Sequence, residues 1–536
     1  MSLQVHEPWP MPADTAAVGQ TVLKGESPYR LIGEQLFEKI READFADLYS
    51  PVGKPGLSPV ILAFVSVFQF MEKLPDRQAA EAMRTRIDWK YAVHMPLDYV
   101  GFDFSVLSEF RDRLLKHEAE GRVFECLVAE FRAMGLVKER GKQRSDSTAM
   151  LTKVRKLSRV EMAVETLRLA VGAVLKHARG WAEEVLPPSW EARYGERFVL
   201  QRHREQEWKQ YEQQVGPDGQ WLLARLEGEG APAELGTLPE VQVLKTVWGQ
   251  QFRAEEGQVT FQEVKGYDGE TQIQTPHDPE ARYGKKRKKE WWGAKLQLTE
   301  TEDEGYPHII TDIAVTSTAK TDYEALDAIH ARLENRKLLP EAHYVDAGYM
   351  SGGNLGKSDA RHIDLIGPRP PISTPQSRLE NGLTWEHFEI DLERSRVTCP
   401  AGHTVNKASQ NETLVRFKFP DKVCAACALR PRCCTGKGGR LIGVRPHYAH
   451  LKKARARQQT EAFKKDYHQH RSGVEGSLSA LVRGNGLRVS RYVGQAKRHL
   501  QALFTGCAAN LGRVARWQAG LRPQVRTAGW GLTAQT

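Results

Sequence analysis

His343-Tyr-Val-Asp-Ala-Gly-Tyr349 is a short apolar run that ends in a carboxylate and a glycine. The run predicts a buried strand that ends near Asp346, with a turn at Gly348. In open α/β sheets, ligands bind at the carboxyl ends of the strands. Asp346 is therefore a candidate site residue, and a structural aspartate that caps the next helix is the alternative.

The residues before this run have the pattern of an α/β domain. Residues 295–299 alternate between polar and apolar side chains, residues 308–316 predict a second strand, and residues 323–338 predict a helix. The order strand, strand, helix, strand is typical of α/β folds. An α/β domain is therefore predicted from about residue 294.

The remainder of the chain divides by pattern into further units. Helical spacing predicts an all-α N-terminal domain, a mainly helical block before the α/β region, one long helix from Tyr448 to Arg483, and a last amphipathic helix ending near Trp517. The predicted fold class is α/β multidomain. The predicted units are a helical N-terminal domain (1–138), an α/β core in two parts (139–156 with 264–372, and 448–520), a helical insertion (157–263), a turn-rich, β-leaning cysteine-bearing insert (373–447) and a tail (521–536).

Composition narrows the class of protein. The chain has 536 residues, of which 40% are hydrophobic and 27% charged, which is enough to give several domains a core and excludes a disordered, collagen-like or coiled-coil chain. The most apolar stretch, residues 58–71, is too short to span a membrane, and the first twenty residues do not resemble a signal peptide. We expect a cytoplasmic protein with no membrane partner.

The net positive charge is modest for a chain of this length, but the basic residues are clustered. The formal net charge is +10, and the cations form a dense block at residues 285–289 and a longer field over residues 452–498. Such runs are usually solvated faces, but two of them that flank candidate carboxylates favour a nucleic-acid partner. Trp292 beside the first block is a candidate for stacking on an unpaired base, with an aromatic packed at a strand edge as the alternative.

Tyr467, Arg471 and Glu475 follow one another at intervals of four residues. On one helix this spacing puts them on one face, with a guanidinium one turn from a carboxylate. The alternative is an ordinary intrahelical ion pair. Gly473 and Gly476 are poor residues for a helix interior, so we expect this helix to approach another element closely.

A third candidate carboxylate is less certain by pattern. Asp146 lies in Arg144-Ser-Asp-Ser-Thr148, but the preceding residues 142–144 do not have the pattern of a buried strand, and such polar clusters are commonly caps or turns. By pattern alone Asp312, inside the second predicted strand, is an equal candidate.

Five of the seven cysteines lie between residues 399 and 434. Cys424 and Cys427 have the spacing of a zinc knuckle, and Cys399 with Cys433 could complete a structural zinc site. Cys434 and His403 are alternative ligands. Reduced, buried thiols without metal are the other interpretation.

Taken in order, several motifs together resemble one enzyme family. Three of them contain the candidate acidic residues: Asp146-Ser-Thr148, Tyr344-Val-Asp-Ala-Gly-Tyr349 and Tyr-x3-Arg-x3-Glu at 467–475. In the first half of the chain they are joined by Leu74-Pro-Asp-Arg-Gln-Ala-Ala-Glu81 with Phe102-Asp-Phe-Ser-Val-Leu-Ser-Glu-Phe-Arg111, and by Asp278-Pro-Glu-Ala-Arg282 with Trp292-Gly-Ala-Lys295. In the second half they are joined by Cys-Pro-x-Gly-His (399–403), Cys-x2-Cys-x5-Cys (424–433) and the predicted helix over 488–510. This set resembles the DDE transposases of bacterial insertion sequences, within the RNase H-like, retroviral-integrase superfamily. The resemblance covers most of the chain.

The resemblance implies an RNase H-like catalytic core with Asp146, Asp346 and Glu475 as the catalytic triad, and it favours Asp146 over Asp312. It implies that two Mg²⁺ (or Mn²⁺) ions, roughly 4 Å apart, are held by this triad, with Asp346 as a possible bridge and Glu475 at the second ion. Tyr467 and Arg471 would then position a DNA phosphate.

The implied function is DNA transposition. The protein would bind the terminal inverted repeats of its element, cleave double-stranded DNA there, and join the 3′ ends to target DNA, as a homodimer associated with the nucleoid. The helical N-terminal domain (1–138) is the expected DNA-end binding unit, with a plain packing or dimerisation domain as the alternative. The residues predicted to contact DNA are Tyr467, Arg471, Arg483, Lys285, Lys288, Trp292 and Lys295. A metal-dependent nuclease without strand transfer and an inactive DNA-binding relic are the alternatives.

One position departs from the family pattern. The related signature continues with a lysine seven residues after the glutamate, but residue 482 is Val, and the nearest cation is Arg483. Neighbouring residues on a helix are rotated by about 100°. The departure bears on contact with the DNA end rather than on the cleavage chemistry.

Overall fold

The computed structural model describes residues 2–255, 257–263, 269–286, 288–407, 409–411, 414–434, 436–445 and 447–521. The predicted tail (521–536) therefore lies outside the described residues except for Leu521. Within the described part, no helix combines the length and apolar character that a membrane crossing needs.

The N-terminal segment is helical, as its spacing predicts. Its α-helices are α1 (Ala13–Val22), α2 (Pro28–Leu31), α3 (Pro59–Glu72), α4 (Asp76–Thr85), α5 (Ile87–Ala92), α6 (Ser105–Lys116) and α7 (Arg122–Ala133). Helix α3 is buried on nearly every side, begins with Pro59 at its first position, and ends at Lys73, which has a left-handed backbone. Helices α4 and α6 pack against it.

The α/β region forms one six-stranded mixed sheet. Its strands are β1 (Lys142–Leu151), β4 (Arg282–Lys286), β5 (Lys289–Thr301), β6 (Ile310–Thr316), β7 (Ala342–Tyr344) and β8 (Asp364–Ile366). Strands β4 and β6 pair with β5, and the order then continues β5, β1, β7, β8. Strand β1 is antiparallel to β5 but parallel to β7, and β7 is parallel to β8.

Two helices make the connections between these strands. Helix α13 (Asp322–Asn335) joins β6 to β7, and α14 (Gly352–Ala360) joins β7 to β8. Thr321 and Glu324 form a capping box that starts α13. The predicted strand, strand, helix, strand order is confirmed.

Strand β1 corrects the sequence-based view of residues 142–144. Gln143 and Arg144 are buried in the sheet. Gln143 donates to the Leu338 carbonyl and accepts from Thr311, and Arg144 pairs with Glu300. These polar side chains are buried because partners remote in sequence satisfy their hydrogen bonds.

The segment after β1 has its own hydrophobic core. Its elements are α8 (Arg159–His177), α9 (Arg179–Val185), α10 (Ser189–Tyr194), α11 (Glu205–Glu227), α12 (Pro239–Gln251), β2 (Phe252–Glu255) and β3 (Gln258–Phe261). Ser158 and Glu161 form a capping box at the start of α8. The segment is therefore mainly helical, as predicted, with one added hairpin of β2 and β3.

The cysteine-bearing segment is built from short strands and two short helices. These are β9 (Glu389–Asp391), β10 (Arg396–Thr398), β11 (Thr404–Asn406), β12 (Ser409–Asn411), β13 (Leu414–Lys418), α15 (Asp421–Ala425), α16 (Arg430–Cys433) and β14 (Leu441–Val444). The strands form two three-stranded antiparallel sheets around a small core that includes Cys424 and Cys433. The β-leaning pattern is confirmed.

The long helix predicted from Tyr448 to Arg483 is wrong in its continuity. The structure has α17 (Tyr448–Gln458), α18 (Glu461–Arg471) and α19 (Gly473–Gly484) in its place. Thr460 caps α18 through its side chain, and Ser472 separates α18 from α19. A Cβ at Gly473 would lie 2.3 Å from Arg144 Nη1, so the second break coincides with a close approach to β1.

The last helix, α20 (Gln495–Gln518), matches its predicted spacing and connects the two ends of the chain. It packs against β6 and α3, and Phe504 stacks on Phe70 with ring centroids 5.8 Å apart. A Cβ at Gly506 would lie 3.1 Å from the Phe124 ring and 3.4 Å from Ile313. The N-terminal helices and the sheet therefore share one hydrophobic core across α20.

Candidate active site

Asp146 lies on β1, inside the sheet rather than in a turn. Its Oδ2 is 3.0 Å from Arg471 Nη2, and its Oδ1 accepts a hydrogen bond from the Ser147 amide. The side chain is 12% exposed, so this ion pair is largely removed from water. Strand β1 therefore holds one carboxylate at a fixed place beside α18.

Asp346 follows the end of the neighbouring parallel strand. In the register of β1 and β7, Arg144 is opposite Tyr344, and each aspartate comes two residues later. The Asp346 Oδ1 accepts from the Gly348 amide at 2.8 Å. Ser351, not Asp346, caps α14, so the capping alternative for Asp346 is wrong.

The two carboxylates are close enough to influence each other. Burial raises the pKa of Asp346 above its ordinary value, and the charge of Asp146 raises it further. No ion pair to Asp346 is present in the part of the chain that is described. A carboxylate that lies beside a like charge and has no ion pair of its own is typical of sites that bind a cation.

Helix α18 contacts this pair through Arg471 and Tyr467. Arg471 is 7% exposed and makes its ion pair with Asp146, not with Glu475. Its Nε is buried and has no hydrogen-bond partner among the described residues. The Tyr467 hydroxyl donates to the Val345 carbonyl at 3.1 Å, which ties α18 to the chain just before Asp346.

Glu475 lies apart from the two aspartates. It is an exposed residue in the first turn of α19, and it has no hydrogen bond or ion pair within the described ranges. Burial chiefly raises the pKa of Tyr467 to about 12, and the charges of Asp346, Asp146 and Glu475 all add to this. The phenol is therefore within electrostatic reach of all three predicted carboxylates.

The junction of α18 and α19 rests on a buried ionic network that the sequence did not indicate. Arg144 Nη1 donates to the His470 carbonyl, and its Nη2 is 2.7 Å from Glu300 Oε1. Glu300 is fully buried and also binds Arg513 and Ser477. Gly473 was the one available signal, since a helix-weakening glycine predicts close approach.

Asp312, the rival candidate by pattern, has a structural role. It is fully buried on β6, and its carboxylate is bound by Arg332 at 2.7 Å and Arg336 at 2.8 Å. Two guanidinium groups of the chain itself bind and neutralise this carboxylate, so it is not available to a ligand.

A divalent cation fits the chemistry of this site in part. Asp146 and Asp346 supply the oxygen ligands that Mg²⁺ prefers, and the buried Arg471 Nε is a donor without an acceptor. No group of three His, Cys, Asp or Glu side chains converges closely enough to hold an ion among the residues that the structure describes. The aspartate pair therefore suits a cation, whereas Glu475 does not complete the group.

The predicted DNA-contact residues outside this centre fall into two groups. Lys288 and Arg483 are exposed, and Lys285 is exposed but pairs with Glu290 at 3.2 Å. Lys295 and Trp292 are engaged within the fold: Lys295 donates to the Lys320 carbonyl, and Lys156 lies over the Trp292 ring at 4.6 Å. The strand-edge interpretation of Trp292 thus agrees with its contacts.

The clustered cysteines line one small apolar cavity. Cys399, Cys424, Cys427, Cys433, Cys434 and His403 all contribute to it. The five cysteines are free thiols, and burial raises the pKa of Cys434 to about 12, with Cys433 and Cys424 adding to the effect. A tetrahedral ligand set is not assembled within the described residues, although its members are neighbours.

Two family models match parts of the chain. Residues 398–515 match a transposase DDE domain, and residues 20–113 match a transposase domain designated DUF772. The first match contains Glu475 and the cysteine-bearing elements, and neither match contains Asp146 or Asp346. Searches of curated proteins and of solved structures gave no match.

Proposed function

Since the chain is a DDE-type transposase of an insertion sequence, we propose that it binds the terminal inverted repeats of its element, cleaves DNA at those ends and joins the 3′ ends to target DNA. Transposases act on DNA, and the DDE domain in general carries nucleic-acid-cleaving transferase activity. The particular ends, the strand transfer and the metal-dependent mechanism are the proposal.

The observation that carries the proposal is that Asp146, on β1, lies near Asp346, which follows the end of the adjacent parallel strand β7. The sheet order β6, β5, β1, β7, β8, with β6 and β5 antiparallel and α13 before β7, supports an RNase H-like core. Such a core places carboxylates where β1 and β7 lie side by side. The raised pKa of Asp346 supports a place that a cation would stabilise.

Each side chain of the centre has a proposed role. Asp146 and Asp346 would hold the metal, and Glu475 would complete the second site after movement of α19 or binding of DNA. Arg471 fixes Asp146 through its Nη2 and offers its Nε to a phosphate oxygen. Tyr467 holds the backbone before Asp346 in place.

Two divalent ions, when bound, would activate a water or a 3′-hydroxyl and stabilise the leaving oxygen at phosphorus. The residues of the chain would position the scissile phosphate. Because Arg471 partly neutralises Asp146, the centre tolerates the approach of an anionic backbone.

The test is DNA cleavage and joining on a duplex that carries the element's own ends, in Mg²⁺ and in Mn²⁺, with DNA binding measured in the same samples. Asp146→Asn, Asp346→Asn and Glu475→Gln should bind the ends but neither cut nor join. Glu461→Gln is the matched control, because Glu461 is an exposed residue at the far end of α18.

The outcomes separate the alternatives. Cutting without joining by the wild type would favour a metal-dependent nuclease. Binding of the ends without cutting in either metal would favour a DNA-binding relic. Full activity of Asp346→Asn would contradict the assignment of the centre itself.

We also propose that the enzyme works as a homodimer on paired DNA ends, with phosphate contacts dominating its affinity. Arg483 and Lys288 are the exposed cations that support such contacts. Binding should then weaken steeply with salt. Light scattering of the complex with DNA, which should give two chains per pair of ends, tests the dimer.

One structural zinc ion in the cysteine-bearing segment is a further part of the proposal. The ligands would be Cys399, Cys424, Cys427 and Cys433, which line one cavity. Elemental analysis of the purified chain should give one zinc, lost in Cys424→Ser. Cys507→Ser, a buried cysteine of α20, is the control that should keep it.

A further inference from the structure

Gly348 separates Asp346 from a carboxylate that the predicted triad does not include. A Cβ added at Gly348 would lie 3.0 Å from Asp346 Oδ1 and 3.2 Å from Asp322 Oδ2. The two carboxylates therefore approach the same point from two sides. The φ of Gly348 is not positive, so its backbone conformation does not require glycine. The absence of a side chain instead leaves the space between the two carboxylates open.

The Asp322 carboxylate is held with one oxygen occupied and the other open. Gln297 Nε2 donates to Oδ1 at 3.1 Å, and Lys295 Nζ is 3.4 Å from the same atom. The fully buried Tyr349 hydroxyl donates to Gln297 Oε1 and so orients this amide. Oδ2 has no hydrogen-bond partner in the described ranges, and it is the atom that faces the Gly348 gap.

Asp322 is the first residue of α13, where the positive end of the helix dipole attracts a carboxylate. Its open Oδ2 thus places a further oxygen ligand on the side of the Gly348 gap opposite Asp346.

A second, independent feature indicates that a ligand belongs in this place. Arg471 is more than nine-tenths buried, and its Nε has no partner among the described residues. A buried donor of this kind is costly unless a ligand oxygen accepts from it. Arg471, which binds Asp146, thus offers an anion-binding donor near the two carboxylates that face the Gly348 gap, although no three carboxylates converge as ligands of an ion among the described residues.

We propose that Asp322 is a fourth carboxylate of the catalytic centre, which strengthens divalent-cation binding at Asp346 across the gap that Gly348 leaves open. The inference rests on the proposed function. The contacts with Lys295 and Gln297 explain why one oxygen of Asp322 is held in place. They do not explain why its other oxygen is open and faces a second carboxylate, and the proposed role does.

The experiment measures Mn²⁺ binding by the full chain without DNA, by titration calorimetry, so that the readout does not depend on activity. Asp322→Asn should weaken the affinity at least about tenfold, the lower end of the effect known for residues that support metal ligands. Asp327→Asn, on the same helix but paired with Lys357 and Arg361, should leave it unchanged. Asp322→Glu should restore part of the loss.

A second variant protects the test against misfolding. Gly348→Ala keeps all the carboxylates and fills the gap, so it should also weaken Mn²⁺ binding. If Asp322→Asn fails to fold, unchanged affinity in Gly348→Ala overturns the proposal, and weakened affinity supports it.

The failure of this inference and that of the proposed function can be told apart. Unchanged Mn²⁺ affinity in folded Asp322→Asn, with binding lost in Asp346→Asn, removes Asp322 from the centre but leaves the proposed function intact. Unchanged affinity in both Asp346→Asn and Asp146→Asn removes the metal site and this inference together.

Discussion

Asp312 and Asp346 belong to the same sheet, but their charges are handled in opposite ways. Burial raises the pKa of Asp312, and Arg332 and Arg336 more than reverse this, so the pKa lies below its ordinary value. Burial and the charge of Asp146 raise the pKa of Asp346, and only a backbone amide binds its carboxylate. A charge that serves the fold is neutralised by the chain, whereas a charge that serves a ligand is left for the ligand to neutralise.

The largest expected effect is on stability and concerns Asp312, the aspartate that the chain neutralises. Asp312→Ala leaves Arg332 and Arg336 without their buried partner, and such a loss costs about 3–5 kcal/mol of unfolding free energy. Urea unfolding measures it. Asp327→Ala, which breaks a half-exposed pair with Lys357 and Arg361, should cost less than about 1 kcal/mol. Equal costs for the two variants would contradict the distinction.

Asp346→Asn is the corresponding change at the aspartate that has no ion pair among the described residues. Because it removes a repulsion rather than an attraction, the unfolding free energy of the metal-free protein should not fall. DNA cleavage should fall by more than the roughly 10–100-fold that loss of an outer-shell partner costs. The pair of measurements is thermal unfolding and strand cleavage on the same preparation. A clear loss of stability would mean that Asp346 is structural after all.

Glu302 provides an intermediate case, because it lies beside Arg144 but also beside Glu300 and Asp303. Burial chiefly raises its pKa to about 7, and the charges of Glu300 and Asp303 add to this. Since the folded state binds the proton more tightly, its contribution to stability is complete below about pH 4.5 and is lost as the pH rises through 7.

Glu302→Gln should remove this pH dependence. From pH 5 to pH 8, the unfolding free energy of the variant relative to wild type should rise by an amount on the order of 1 kcal/mol. Urea unfolding at the two pH values gives the number. Glu304→Gln, an exposed neighbour, should show no such change, and a flat difference for Glu302→Gln would contradict the assigned cause.

The smallest effect concerns the two lysines of the β4–β5 hairpin. Lys288 is exposed without an ion pair among the described residues, whereas Lys285 pairs with Glu290. Lys288→Ala should lower the salt slope of DNA binding by about 1, and Lys285→Ala by less. Fluorescence anisotropy in a salt series measures both. If neither changes the slope, the hairpin is not in the DNA interface.

The local patterns predicted much of the fold. Alternation and helical spacing placed β5, β6, α13 and α20, because these patterns depend only on near neighbours. They did not place the start of β1, since the burial of Gln143 and Arg144 depends on partners such as Leu338 and Glu300 far along the chain. The break at Ser472 was missed for the same reason.

The candidate site was predictable to a similar extent. The strand-end pattern placed Asp346 correctly near the end of β7, but Asp146 was chosen over Asp312 only through the family resemblance. Spacing put Arg471 one turn from Glu475, yet its ion pair is with Asp146 on another element. Asp322 had no signal in the sequence, because the Gly348 gap exists only after the sheet and α13 have packed.

The packing of α20 predicts what a premature stop codon in the gene would do to the protein. The helix is formed by residues near the end of the chain, yet it stacks Phe504 on Phe70 and closes the core of the N-terminal helices. A stop codon before residue 495 therefore removes part of the hydrophobic core on which the first 138 residues rest. Premature termination should therefore destabilise the N-terminal helices and the sheet together, so that a truncated copy would lose the proposed end binding along with the proposed catalysis.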